Sequence, residues 1–180
     1  FIIISASRQV LRTSVKTPIM NNNPQLARSE PSRFVQRWLT ADPARIAELE
    51  QLTGLSLDRL DFDQLLQQQR ARAPSLPAAM RRLRNLLVSA IVARDLSGRA
   101  DLAEVVAAIS HFADFVVSTH LDELYTAMCD AHGVPTGEES GRPQRMIVVG
   151  MGKLGGHELN VSSDIDLIFL YPEDGETVVS

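Results

Sequence analysis

Cysteine, aromatic residues and long apolar runs are all scarce in this sequence of 180 residues. The single cysteine, Cys129, excludes an internal disulfide framework and favours a reducing compartment. The apolar stretch at residues 1–4 is too short for a signal peptide or a membrane span. The net charge of −4 gives no indication of a nucleic-acid partner. We therefore expect a cytoplasmic protein that binds neither membranes nor nucleic acid.

Apolar residues make up 44% of the sequence, and from Ser32 onward they recur at helical spacing. Capping residues, glycines and prolines mark where each helix begins and ends. The predicted helices are a short one capped by Ser32, one from Asp42-Pro43 to Thr53, and those at Leu60–Arg70, Ala78–Leu96 and Leu102–Ala131, the last with a break near Ser110.

Side chains on these helices carry further expectations. Asp101 and Glu104 have the spacing of a capping box. Apolar residues from Val105 to Met128 predict a wide buried stripe. The glutamines at 67–69 predict a solvated surface. The arginines predict a solvated basic face, with an acidic partner surface or pairing to Asp95 as alternatives; they are Arg81, Arg82, Arg84 and Arg94.

The densest chemistry lies at residues 145–172, which read RMIVVGMGKLGGHELNVSSDIDLIFLYP. The apolar runs Met146–Val149 and Ile165–Tyr171 predict two buried strands. Asp164 and Asp166 open the second strand, and side chains alternate along a strand, so both carboxylates should point the same way. Two adjacent carboxylates repel unless a cation lies between them, and oxygen ligands suit Mg²⁺. This D-x-D pair therefore predicts a catalytic metal site.

The segment between the two strands predicts phosphate binding. Glycines allow close approach of the backbone, and exposed N–H groups, hydroxyls and a lysine can hold phosphate oxygens. The candidate phosphate-binding residues are Gly150, Gly152, Lys153, Gly155, Gly156, Ser162 and Ser163. Asn160 is expected to hydrogen-bond within the loop and has no assigned catalytic role. Together with the metal site, this pattern predicts nucleotidyl or phosphoryl transfer.

Three other interpretations compete with this one. Residues 150–155 match G-x-G-x-x-G, with Glu173 as a possible ribose-binding acid, although the polar segment that follows is too short for the required helix. A P-loop is excluded because Lys153 is followed by Leu154 rather than Ser or Thr. The third possibility is a structural glycine-rich hairpin with two solvated aspartates.

The string GMGKLGGHELNVSSDIDLIFLYP closely resembles the signature of the glutamate-ammonia-ligase adenylyltransferase family. These bifunctional enzymes add AMP to a tyrosine of glutamine synthetase and remove it, and they belong to the polymerase-β-like nucleotidyltransferase superfamily. Gly150 matches the first superfamily glycine, and Asp164 and Asp166 match the metal carboxylates. Met151 departs from the small residue of the superfamily but agrees with the family's own form.

The resemblance implies an α+β fold in which a helical N-terminal region precedes the first strands of a polymerase-β-like nucleotidyltransferase sheet, here truncated. It also implies Mg²⁺ as cofactor, ATP, ADP and orthophosphate as substrates or products, and glutamine synthetase and the PII signalling protein as partners. A helical lead-in implies the adenylyl-removing half, in which orthophosphate releases ADP from AMP–tyrosine. A regulatory or docking module that binds glutamine synthetase or PII is the non-enzymatic alternative.

The expected organisation has three parts. Residues 1–31 are expected to be disordered or a mis-started N-terminus, with Met20 as a natural start. Residues 32–140 form the helical lead-in, with a linker at Thr136–Pro143, and residues 141–180 begin the catalytic domain. The resemblance implies a third metal carboxylate on a later strand, so we expect residues 1–180 alone to have little activity.

Overall fold

The computed structural model describes residues 2–4 and 32–178, which form an α+β structure. The helices are α1 (Arg33–Thr40), α2 (Arg45–Thr53), α3 (Phe62–Arg70), α4 (Leu76–Leu96), α5 (Leu102–His132) and α6 (Gly152–Gly155), with a 3₁₀ turn at Leu57–Arg59. The strands are β1 (Ile2–Ile4), β2 (Val134–Gly137), β3 (Ile147–Gly150), β4 (Leu167–Leu170) and β5 (Gly175–Val178). The predicted fold class is confirmed.

The described residues divide into a helical unit, residues 32–105, and a strand-containing unit, residues 2–4 with 106–178. This division differs from the predicted boundary at residue 140, because most of α5 belongs with the strands. One physical reason is a buried hydrogen bond from the backbone N–H of Leu159 to the hydroxyl of Ser110, which ties α5 to the chain beyond β3.

The helical unit is built from amphipathic helices with side-chain caps. The Ser32 hydroxyl accepts a hydrogen bond from the N–H of Val35, and the Asp61 carboxylate accepts one from Gln64, so both satisfy N–H groups at a helix start. A core cluster of Val35, Leu49, Leu52, Leu86 and Ala90 joins α1, α2 and α4. Most of the predicted boundaries in this unit lie within a few residues of the observed ones.

Arg94 and Glu104 form the main polar contact of the helical unit. The Arg94 guanidinium donates to a carboxylate oxygen of Glu104 at 3.0 Å, to the carbonyl of Thr53 at 3.1 Å and to that of Arg99 at 2.9 Å. Glu104 also accepts from the N–H of Leu57 at 2.8 Å. Arg94 is only 8% exposed, so its predicted place on a solvated face is wrong, and Glu104 rather than Asp95 is its partner.

Two other polar predictions need correction. The Asp101 carboxylate caps α5 by accepting from the N–H of Glu104, but the Glu104 carboxylate is directed to Arg94 and Leu57, so only half of the capping box forms. Gln69 is buried rather than solvated, and its side-chain oxygen accepts a hydrogen bond from Nε of Arg82. Gln67 and Gln68 are exposed as expected.

Helix α5 runs without the predicted break at Ser110, whose hydroxyl donates to the carbonyl of Val106 one turn earlier. Its apolar stripe is buried from Val105 to Phe115 but not at its far end, where Leu124 and Met128 are 61% and 55% exposed. In length and composition α5 would suffice to cross a bilayer. Core helices of globular proteins meet the same criteria, so this is weak evidence for insertion.

The strands form two small antiparallel sheets, ordered β1-β3-β4 and β2-β5. The strand at Ile2–Ile4 corrects the expectation of disorder at that end, since consecutive β-branched residues pair with the open edge of β3. The other residues of the predicted disordered segment lie outside the described part of the chain. The predicted linker at Thr136–Pro143 is also wrong in part, because β2 covers its first residues and pairs with β5.

Strand β4 is less buried than its apolar composition predicts. Ile168, Phe169 and Leu170 are 44%, 55% and 47% exposed. Within the described residues, β4 is an edge strand that pairs only with β3. In β3, by contrast, Val148 is completely buried.

Substitution of Glu104 by alanine should lower the free energy of unfolding by about 3 kcal/mol, because it leaves a buried guanidinium without its carboxylate. Urea denaturation measures this change. The Glu104→Gln variant should lose less, since the amide oxygen can still accept hydrogen bonds. The exposed Glu50 on α2 provides the control: Glu50→Ala should change stability by less than about 0.5 kcal/mol. Equal effects of Glu104→Ala and Glu50→Ala would contradict the assigned role of this ion pair.

Candidate active site

The two predicted strands of the site lie side by side as β3 and β4. Their antiparallel register pairs Gly150 with Leu167. The ladder continues one residue further, where the N–H of Met151 donates to the carbonyl of Asp166 at 2.9 Å. This bond places the start of the glycine-rich segment directly beside the D-x-D segment, so the structure brings together the two motifs that the sequence assigned to phosphate and to metal.

The glycine-rich segment folds into one short helical turn, α6, rather than the open loop predicted for it. Gly152 opens this turn with a φ of +54°, which favours glycine because a Cβ is strained there. A Cβ on Gly150 would lie 3.0 Å from the side chain of Leu154, which is buried. These contacts hold the turn against the end of β3 and leave Gly152, Lys153 and Gly156 exposed.

Asn160 organises the segment that leads to the aspartates. Its side-chain oxygen accepts hydrogen bonds from the hydroxyls of Ser163 at 2.8 Å and Ser162 at 3.3 Å, and from the N–H of Ser162 at 3.2 Å. The predicted role of Asn160 within the loop is confirmed. The sequence assigns the two serine hydroxyls to phosphate, but in this structure both donate to Asn160. Each hydroxyl can therefore still accept a hydrogen bond from a ligand, but its proton is already used.

Asp164 and Asp166 are both exposed and precede β4, which begins at Leu167 rather than at Ile165. Two carboxylates beside a candidate phosphate-binding turn are a donor set that fits Mg²⁺, whose remaining ligands are usually waters and substrate phosphates. In the described chain, His, Cys, Asp and Glu side chains form no group of three that could hold a metal ion. Among the described residues, the D-x-D pair is therefore the candidate metal-binding group.

The chain after α6 is attached to α5 by contacts that the sequence did not predict. The N–H of Leu159 donates to the hydroxyl of Ser110 at 3.1 Å, and both residues are buried. Two residues earlier, the His157 ring meets the His111 ring of α5 edge to face, with 5.6 Å between centroids. These pairs are separated by more than forty positions in the chain, with no local sequence signal to join them.

Glu173, the candidate ribose-binding acid, has a structural role instead. Its carboxylate accepts hydrogen bonds from the N–H groups of Glu139 and Ser140 and from the side-chain amide of Gln144, at 2.8–3.0 Å. Hydrogen bonding by Ser140, through its hydroxyl and its N–H, lowers the pKa of Glu173. Because its carboxylate already caps this turn, and because β3 and β4 are antiparallel, the geometry disfavours a dinucleotide fold.

A glycine-rich turn joined to a D-x-D segment at the end of an antiparallel strand pair is the arrangement expected of a nucleotidyltransferase site. The family model described as Glutamate-ammonia ligase adenylyltransferase matches residues 26–180, and the chain belongs to this family.

Curated relatives agree with this assignment. The chain is 46% identical to a protein of Chromobacterium violaceum, over 87% of this chain and 18% of the relative. It is 44% identical to one of Nitrosomonas europaea, over 81% and 16%, and 52% identical to one of Ralstonia nicotianae, over 57% and 11%. Each of these proteins is named as a bifunctional glutamine synthetase adenylyltransferase/adenylyl-removing enzyme. The chain thus spans less than a fifth of the length of these relatives.

Replacing Ser110 by alanine should lower the free energy of unfolding by about 1–3 kcal/mol, because the buried N–H of Leu159 loses its acceptor. Chemical denaturation gives this value, and amide hydrogen exchange at Leu159 should accelerate in the variant. Ser118 is a matched control on the same helix, since its hydroxyl donates to the carbonyl of Phe115. A loss in Ser118→Ala as large as that in Ser110→Ala would count against a specific attachment of Leu159.

The stability of the fold should depend on pH through the Glu173 carboxylate, which caps the turn at Glu139 and Ser140. Since the folded-state pKa lies below the ordinary 4.5, the carboxylate stabilises the fold above about pH 4.5, and this contribution disappears as pH falls through the folded-state pKa. The melting temperature of Glu173→Gln should therefore be lower than wild type at neutral pH and approach it in acid. Glu176→Gln, on the exposed strand β5, is the control and should follow wild type throughout.

Proposed function

We propose that this chain carries part of a nucleotidyltransferase site that controls glutamine synthetase by reversible adenylylation of a tyrosine, and that it belongs to the adenylyl-removing half. The hydrogen bond from the N–H of Met151 to the carbonyl of Asp166 is the observation that carries the proposal. It holds the candidate phosphate-binding turn next to the candidate metal-binding pair, which is the arrangement that transfer of an AMP group requires.

Each part of the site has a chemical task in this proposal. Asp164 and Asp166 hold Mg²⁺, which, when bound, neutralises charge on the phosphate oxygens. The backbone of residues 150–156 lies against the phosphates, and the exposed Lys153 adds positive charge. Asn160 keeps the segment that carries the aspartates in its folded form. Catalysis then depends on positioning and electrostatic stabilisation rather than on a protein nucleophile.

The proposed reaction is phosphorolysis. An oxygen of orthophosphate attacks the phosphorus of the AMP–tyrosine linkage and forms the new P–O bond of ADP. The bond from phosphorus to the tyrosine oxygen breaks, and that oxygen takes up a proton. The removing direction is supported by the helical unit that precedes the site in the chain, since the resemblance places such a lead-in before the first of two catalytic domains.

The proposal places the protein in the cytoplasm, with glutamine synthetase as its substrate and the PII signalling protein as a regulatory partner. It expects no nucleic-acid partner and no association with membranes. A docking module that binds the same two proteins without turnover is the alternative.

The direction of transfer can be tested with a polypeptide as long as the curated relatives. It is incubated with adenylylated glutamine synthetase, Mg²⁺ and orthophosphate, and ADP release is followed. The wild type should release ADP, and Asp164→Asn and Asp166→Asn should each reduce the rate by about 100-fold or more. Asp174→Asn, an exposed aspartate that lies outside the proposed site, is the matched control and should retain activity.

The result separates the candidate functions. AMP incorporation from ATP without ADP release would assign the site to the adding half, contrary to the proposal. Binding of Mg²⁺ and ATP with neither activity would favour the docking module. ADP release that survives loss of both aspartates would contradict the metal-site assignment.

A further inference from the structure

Ser110 is a completely buried serine on α5 whose hydroxyl uses both of its hydrogen-bonding functions. It donates to the carbonyl of Val106 at 2.8 Å and accepts from the backbone N–H of Leu159 at 3.1 Å. The first bond already satisfies the hydroxyl proton within the helix. The second bond supplies an acceptor to a buried N–H 49 positions further along the chain. The proposed reaction assigns Ser110 no chemical step, so this second bond is the feature to explain.

The residue that Ser110 holds, Leu159, lies between the two halves of the candidate site. On its N-terminal side the chain is bonded back to the glycine-rich turn. The N–H of His157 donates to the carbonyl of Leu154 at 3.0 Å, and the N–H of Glu158 donates to the carbonyl of Lys153 at 2.8 Å. The position of Leu159 is therefore coupled through main-chain bonds to the candidate phosphate-binding turn.

On its C-terminal side Leu159 is followed directly by Asn160, which is bonded to the segment that carries the aspartates. The carbonyl of Asn160 accepts from the N–H of Ser163 at 3.1 Å, and its side-chain oxygen accepts from the hydroxyls of Ser162 and Ser163. Asp164 is the next residue. The neighbours of Leu159 are thus bonded to opposite halves of the site, and Leu159 itself is fixed to α5.

We infer that Ser110 is a positioning residue of the candidate site. Through Leu159, its hydroxyl holds the glycine-rich turn and the aspartate pair at the separation that Mg²⁺ and a nucleotide phosphate require. This inference rests on the proposed function. The bond between Met151 and Asp166 fixes the two ends of the segment 152–165, and Ser110 fixes its middle. Loss of the hydroxyl should therefore reduce the fraction of molecules in which both halves are arranged for the ligand.

Binding of ATP in the presence of Mg²⁺ to the 180-residue chain, measured by calorimetry, tests this role. Ser110→Ala should weaken binding by about tenfold, because the buried N–H of Leu159 loses its acceptor. Ser89 on α4 offers a matched control, since it is also completely buried and donates to the carbonyl of Asn85 at 2.8 Å. Ser89→Ala removes the same kind of bond within a helix and should leave the affinity unchanged.

The conservative variant Ser110→Thr separates positioning from general stability. A threonine hydroxyl in a helix can make the same bond to the preceding turn and remains an acceptor for Leu159. Its extra methyl group enters a completely buried position, so overpacking should lower the melting temperature. The affinity for ATP with Mg²⁺ should nevertheless stay near the wild-type value. An affinity that simply follows the melting temperature across Ser89→Ala, Ser110→Thr and Ser110→Ala would overturn the inference.

Backbone amide resonances of the ligand-free chain report whether Ser110 acts on both halves. Ser110→Ala should shift the resonances of residues 152–156 and of residues 162–166, and a shift confined to one half would contradict the coupling. Binding that depends on Asp164 and Asp166 but is unchanged in Ser110→Ala would refute the inference and leave the proposed function intact. If the wild type fails to bind, or if binding survives loss of both aspartates, the proposed function fails and the positioning role fails with it.

Discussion

The antiparallel pairing of β3 with β4 is the constraint on which the candidate site depends. Its ladder extends past Gly150 to the bond between Met151 and Asp166, so the glycine-rich turn and the aspartate pair meet through main-chain groups. A slip of one residue would reverse the faces of all side chains on β4 and separate the two motifs. The close approach of Leu154 to Gly150 supports the same register from the side of the turn.

The second half of the site is held by attachment to α5 rather than by its own secondary structure. Between α6 and β4 the chain has no regular element, and its order comes from the Asn160 hydrogen bonds and from Ser110 and Leu159. Such an arrangement leaves the aspartates exposed for ligands while the backbone behind them is fixed.

The helical unit has its own polar centre, at Arg94 and Glu104. The guanidinium satisfies the carbonyl of Thr53 at the end of α2, and the carboxylate satisfies the N–H of Leu57 beside the 3₁₀ turn. One ion pair thus supplies partners for the backbone groups that two helix ends leave unpaired. Removal of either side chain would leave the other charge without its ionic partner.

The sequence alone determined the helices, the caps at Ser32 and Asp101, the two central strands and the residues proposed for the site, because these depend on local periodicity and short motifs. Only the tertiary structure decided that the Glu104 carboxylate pairs with Arg94 instead of completing its capping box. It likewise decided that the Glu173 carboxylate caps a turn and that Thr136 lies in a strand rather than a linker. It also decided that β4 and the end of α5 remain exposed, and that the hydroxyl of Ser110 accepts a hydrogen bond from the N–H of Leu159. The contacts among these features join residues between 10 and 49 positions apart. At such separations short motifs carry no information, and burial selects among several possible partners.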